Sequence, residues 1–198
     1  RLVPVADIIE GNLIDTLLAN PDVVILPDSG SLTQAETDAA LEWVEKGGLF
    51  LRFAGPRLAA SNLAELADDP LLPVRLREGG RTVGGAMSWG EPKTLAPFPE
   101  GSPFFGLSVP PDVVVREQIL AQPDPTLAER TIAALEDGTP LMTRNTVGAG
   151  QVVLVHVTSN AEWSSLPLSG LFVQMLERLA VSTKPAQPEA ADLAGQTW

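Results

Sequence analysis

The sequence predicts an α/β fold: a mainly parallel sheet flanked by helices, with a β-rich excursion in the middle. Three observations predict it. Short apolar runs, Val23–Leu26 and Leu49–Ala54, alternate with helical patterns at the spacing of strand–helix–strand units. A Gly- and Pro-rich stretch from Asp69 to about Pro125 interrupts that alternation. A β-branched run, Gln151–Val157, and a last helical pattern then restore it. The 198 residues, 44% of them hydrophobic, suffice for one domain with a sizeable core. Residues 1–182 form that domain, with about 69–130 as the excursion, and 183–198 form a linker-like tail without usable periodicity.

The elements follow in order. Leu2–Val5 reads as a short extended stretch. Ile8, Ile9, Leu13, Ile14, Leu17 and Leu18 then make an amphipathic pattern, weakened at Gly11 and broken at Pro21. Val23–Leu26 suits a central parallel strand buried on both faces. The next helix has two competing capping boxes, Thr33 with Glu36 and Ser31 with Gln34, and Gly47-Gly48 stops it. After the strand Leu49–Ala54, Pro56 suits the first turn of another helix, with Leu58, Ala59, Leu63 and Leu66 toward the core. In the excursion, Arg81–Phe98 reads as short strands and turns around Gly84-Gly85 and Gly90. Val113–Val115 with Ile119-Leu120 suggests a further strand pair. Thr131–Leu135, Pro140–Asn145 and Gln151–Val157 read as a meander, and a helix is expected from about Leu168 to Val181.

Composition excludes several functions. There is no cysteine, so disulfides, thiolate nucleophiles and zinc–thiolate sites are ruled out. The formal net charge of −12 argues against nucleic acid and anionic membrane surfaces as partners, and its ordinary meaning is solubility. No apolar run is long enough to span a bilayer. The chain starts at Arg1 without initiator Met or signal peptide, which suggests a piece of a longer protein whose other parts could carry membrane segments. No phosphate-binding glycine loop opens a helix. Gly84-Gly85 and Gly148-Ala149-Gly150 lack the required pattern, and no cofactor is expected.

The candidate site is the turn Asp28-Ser29-Gly30-Ser31. Ligands of open α/β sheets bind beyond the carboxyl ends of strands, where Asp28 and Ser29 would sit. The same residues are also ordinary strand-to-helix turn chemistry. A metal-binding D-x-S-x-S loop fails, because Gly30 and Leu32 stand at the hydroxyl positions. A nucleophile elbow fails, because Pro27 replaces its first glycine. Gly55-Pro56-Arg57 could hold an anion at a helix start, although Pro56 removes one donor. Asn160, in Ser159–Trp163, would share the crest with Asp28 if its strand is parallel. Trp163 reads as an edge packing residue. The lone His156, inside an apolar strand, reads as structural. The ligand-binding candidates are therefore Asp28, Ser29, Arg57 and Asn160, with no catalytic or metal-ligating residue assigned.

"DVVILPDSGSLTQAETDAALEWVEKGGLFLRFAG" resembles the strand–helix–strand of class I glutamine amidotransferase-like domains. "LEDGTPLMTRNTVGAGQVVLVHVTSNAEWSSLPLSGLFVQMLERL" is similar to their later hairpin, strand and final helix. With "FAGPRLA", the combination resembles the amidotransferase-like region of large bacterial membrane proteins carrying a BatA-type double-transmembrane region and often a DUF4159 region. The resemblance covers most of Asp22–Val181 outside the excursion and implies a flavodoxin-like, Rossmann-like sheet. It does not carry glutaminase activity. No cysteine stands on an elbow, and Thr158 occupies the place of the Glu in the family's His-x-Glu pair. The expected function is a non-catalytic module that binds protein or a small ligand, on an unassigned side of the membrane. Alternatives are a hydrolase using Asp28 with Ser29 or a carboxylate-bound metal, and an architectural spacer.

Overall fold

The computed structural model describes residues 11–62, 65–77 and 86–182. Its main sheet has five strands in the order β1 (Val23–Leu26), β2 (Leu49–Phe53), β7 (Gly150–Val155), β6 (Pro140–Val147), β5 (Thr131–Ala134). β1, β2 and β7 run parallel, β6 pairs antiparallel with β7, and β5 pairs antiparallel with β6. The chain crosses from β1 to β2 through α2 (Gln34–Glu45), and reaches β7 after the excursion and the meander β5–β6–β7. The excursion contributes a second, two-stranded antiparallel sheet, β3 (Ala86–Thr94) with β4 (Val114–Ile119).

Strand alternation separates two cores. Leu49, Leu51 and Phe53 of β2 enter the larger one, with the excursion and with Leu171, Phe172, Met175 and Leu179 of α5 (Gly170–Ser182). There the Phe53 and Phe172 rings lie 5.6 Å apart. Phe50, pointing the other way, joins Val24, Val152 and residues of α1 (Leu13–Leu18) and α2.

Local chemistry explains the helix limits. Asn12 caps α1 by accepting the Ile14 N–H at 2.9 Å, so the helix starts after Gly11. Of the two capping boxes in α2, Thr33 with Glu36 is the one formed, and the Thr33 hydroxyl and amide hold the Glu36 carboxyl below its ordinary range. At the other end Gly47 has φ +116°. Gly48 N–H reaches Trp43 O and Gly47 N–H reaches Val44 O, a Schellman closure. Gly48 is required a second time, because a Cβ there would stand 2.5 Å from the Trp43 indole. That indole is buried and donates to Pro21 O, tying α2 to the entrance of β1.

The structure corrects several expectations. β1 is an edge strand, not a central one, and its Ile25 is exposed. The two expected strands merge into one, β4, which starts at Val114 and ends at Ile119 and whose partner is the nine-residue β3. Gly90 lies inside β3, in a register irregularity between Ser88 and Lys93, where glycine tolerates the bulge. A short helix, α3 (Pro56–Ala60), buries Leu58 and Ala59, and a single turn, α4 (Leu127–Arg130), has no counterpart in the sequence reading. Leu18 is 78% exposed rather than in the core. Trp163 is buried, and its carbonyl accepts the Arg116 N–H at 2.7 Å. Leu2–Val5, Ile8, Ile9, Leu63, Gly84-Gly85 and the tail 183–198 lie outside the described residues.

The turn Gly148-Ala149-Gly150 locks the meander to α2. Ala149 N–H donates to the Glu45 carbonyl at 2.9 Å, and Gly148 has φ +58°. A Cβ on Gly150 would collide with the backbone of Val44 and Gly48, which cannot rotate away. Gly150→Ala is therefore expected to cost about 3 kcal/mol or more by overpacking, read from the denaturant midpoint, whereas Gly138→Ala, in an open turn, should cost about 1 kcal/mol.

Candidate functional site

β1, β2 and β7 run parallel, so Asp28, the Gly55-Pro56-Arg57 turn and the Ser159-Asn160 turn all emerge at the same edge of the sheet. What the side chains do there follows from the α3 N-terminus. Its N-cap, Gly55, has no side chain, and Pro56 has no N–H, so the next two amides lack intrahelical partners. Asp28 supplies them from the neighbouring strand: Oδ2 accepts Arg57 N–H at 2.7 Å and Oδ1 accepts Leu58 N–H at 2.8 Å. The anion at this helix start is the chain's own carboxylate. Gly55 permits it, because any Cβ there would run into the Asp28 side chain.

A second tie lies beneath the turn. Arg52, 2% exposed, sits in the strand "LFLRF" and splits its guanidinium. Nη2 donates to Gly30 O at 2.7 Å and Nη1 to Asp69 Oδ2 at 2.9 Å. Asp69 Oδ1 in turn accepts Leu71 N–H at 2.9 Å. Gly30 has φ +67°, a conformation glycine adopts without strain, and this turns its carbonyl toward the buried charge. Neither Arg52 nor Asp69 stands out as a site residue in the sequence. The available signal is an arginine inside an apolar run, since a charge buried there needs a partner.

Of the four sequence candidates, Asp28 is the one bound to another, and it meets Arg57 through the Arg57 backbone. The Arg57 side chain is exposed, and Ser29 is half-buried next to Asp28. Asn160 serves its own turn: its Oδ1 accepts Glu162 N–H at 3.0 Å and its carbonyl accepts the Thr158 hydroxyl at 3.3 Å. Thr158 also accepts Trp163 N–H, bracing the turn instead of orienting a histidine.

His156 is fully buried at the seam of the two sheets. Nδ1 donates to Ile119 O at 2.8 Å, which fixes the tautomer because a carbonyl can only accept. Nε2 therefore accepts the Thr143 hydroxyl at 3.0 Å. The His156 carbonyl takes Ile119 N–H at 3.0 Å, so ring and backbone together hold β4 against β7. Burial pushes the imidazole down to about 4, offset only in part by Ile119 O. Among the described residues, no group of three or more His, Cys, Asp or Glu could hold a metal ion. No helix among them is long and apolar enough to cross a membrane.

Fold and site together define an α/β domain whose strand-end crest is braced by its own carboxylate and guanidinium. Among solved structures the fold is similar to that of Cytoplasmic Protein STM1381 from Salmonella typhimurium LT2. The TM-score is 0.65 at 15% identity, covering 86% of this chain and 75% of that one. Cytoplasmic Protein STM3548 from Salmonella typhimurium gives 0.60 at 16% identity, covering 85% and 73%. The β-galactosidase from Bacillus circulans sp. alkalophilus gives 0.50 at 18% identity, with 84% of this chain lying on only 23% of that enzyme. At such identities the likeness establishes the fold alone. No protein-family model matches the chain, and no curated protein matches it.

Two predictions follow from the buried groups. Asp69→Asn leaves the Arg52 charge buried without its counterion and should cost about 3 kcal/mol in denaturant unfolding. The double variant Arg52→Met with Asp69→Asn should cost less than the sum of the two single variants. For His156, the folded value lies below the ordinary 6.5, so the unfolded chain binds the proton first. Its stabilisation is complete above pH 6.5, is lost progressively as the pH falls toward 4, and amounts to a few kcal/mol in order of magnitude. His156 is the chain's single histidine, so pH-dependent unfolding between 6.5 and 4.5 should flatten in His156→Gln.

Proposed function

We propose that the chain is a non-catalytic, amidotransferase-like α/β module with a flavodoxin-like sheet. It would act in protein interaction or ligand sensing within a membrane-anchored bacterial envelope protein. The observation that carries the reading is the state of Asp28. Both carboxylate oxygens are occupied by the α3 amides, at 2.7 and 2.8 Å. A general base or nucleophile needs a lone pair directed at substrate, and a metal ligand needs an oxygen directed at the ion. Either use would set the Asp28 charge in competition with the two α3 amides it already caps. The imidazole supports the same reading, since it is sealed between β4 and β6 and is neutral at physiological pH. The amidotransferase likeness rests on the sequence patterns around Gly47-Gly48 and Gly148–Gly150, both of which serve the packing of α2.

The reading makes Asp28 a stability residue. Asp28→Asn keeps one acceptor oxygen and loses the charge, and should lower unfolding free energy by about 1–2 kcal/mol. Ser29→Ala should leave it within about 0.5 kcal/mol. Both variants and the wild type should show the same background rates on ester and phosphoester substrates. A hydrolytic turnover in the wild type that disappears in folded Asp28→Asn or Ser29→Ala would establish the hydrolase instead.

A further inference from the structure

Away from the crest, a groove of about 410 Å³ opens between the segment Val74-Arg75 and the turn that leads into α4. The two walls are joined by backbone: Gln122 N–H donates to Arg75 O at 2.8 Å, and Leu76 bridges Ala121. Val74 and Leu127 supply apolar surface, and Arg75, Asp124 and Arg130 supply charge. A groove of this size falls within the range that small-molecule sites occupy.

The charged groups are anchored and still incompletely used. Arg130 is half-buried and donates through Nη1 to Pro73 O at 2.9 Å. Among the described residues its Nε and Nη2 have no protein acceptor. Arg75 donates through Nε to Ala67 O at 3.2 Å and through Nη2 to the exposed Asp68 at 3.0 Å, leaving Nη1. Asp124 is oriented by Thr126, whose amide and hydroxyl both donate to Oδ1, at 2.7 and 2.6 Å, leaving Oδ2. Those two Thr126 bonds hold the Asp124 carboxyl below its ordinary range, with a smaller contribution from the charges of Arg130 and Arg75, which line the same groove.

We propose that this groove binds a small zwitterion of the α-amino acid type. Its carboxylate would lie on the spare Arg130 and Arg75 donors, and its ammonium on Asp124 Oδ2. Two features select that class. The groove presents both signs of charge within one small volume, which a plain anion or plain cation satisfies only in part. The chain also carries a net charge of −12, a field that opposes a free anion at long range and is indifferent to a ligand with no net charge. The proposal goes beyond the non-catalytic reading and does not depend on it, because it uses no residue of the crest.

The test is calorimetric titration of the purified chain with glycine, L-glutamine, L-glutamate and L-leucine. The N-acetyl and carboxamide forms of the best binder remove one charge at a time. The expected result is saturable binding of at least one amino acid, weakened about tenfold or more by either modification. Asp124→Asn, which can still accept from Thr126, should remove the preference for the free ammonium over its N-acetyl form. Arg130→Gln should weaken both. Unchanged thermal unfolding of Asp124→Asn keeps the test independent of any folding defect in Arg130→Gln. Absence of saturable binding by all four amino acids would overturn the proposal. So would wild-type affinity in both variants. Neither outcome bears on Asp28, whose role is read from stability.

Discussion

A single buried guanidinium organises the crest. Arg52 stands in the middle strand of the parallel trio, where neighbouring positions are occupied by Phe50, Leu51 and Phe53. A charge there is tolerable only if its donors are met, and the two acceptors come from segments far apart in sequence, Gly30 and Asp69. Satisfying it therefore pins the loop after β1 and the entry to the excursion onto the end of β2. With Gly30 held, Asp28 is delivered to the α3 amides. With Asp69 held, Leu71 is placed between sheet and helices as part of the smaller core. The polar groups of the crest answer one another.

That arrangement explains why an acidic, hydroxyl-rich turn at a strand end is an ambiguous signal. Open α/β sheets leave their strand ends as the natural place for ligands. They also leave helix N-termini there with amides to satisfy. Asp is suited to both tasks, and its neighbours decide between them. Here Gly55 and Pro56 remove the local cap and one donor, and the helix takes its acceptor from across the sheet.

How much of this was legible in the sequence depends on range. Features set within a few residues could be read directly: a capping box at the start of α2, narrowed to two candidates, the Gly47-Gly48 stop, the meander and the last helix. Features set by contacts across the chain could not. Nothing in Val23–Leu26 says that β1 lies at an edge, because a short apolar run looks the same with one neighbour or two. The β3–β4 pairing is hidden by Gly90 and Pro92, which read as breaks until β4 supplies a partner strand. At the crest, Asp28 could be named but its role could not, since its partners Arg57 and Leu58 lie 29 and 30 positions away. The charged groove joins Arg75 to Asp124 and Arg130, and no local pattern announces that meeting.

The order of the main sheet has a consequence for how the chain reaches this state. β2 lies between β1 and β7, yet Leu49 pairs with Gln151, about a hundred positions later. Pairing β1 with β2 closes a short loop across α2, whereas the central β2–β7 ladder closes one that spans the excursion and the meander. Contacts of that sequence separation are the kind that slow folding relative to local pairings. A chain with β1 and β2 paired and β7 not yet docked would present the open edge of Leu49–Phe53, an unpaired apolar edge of the sort that favours self-association.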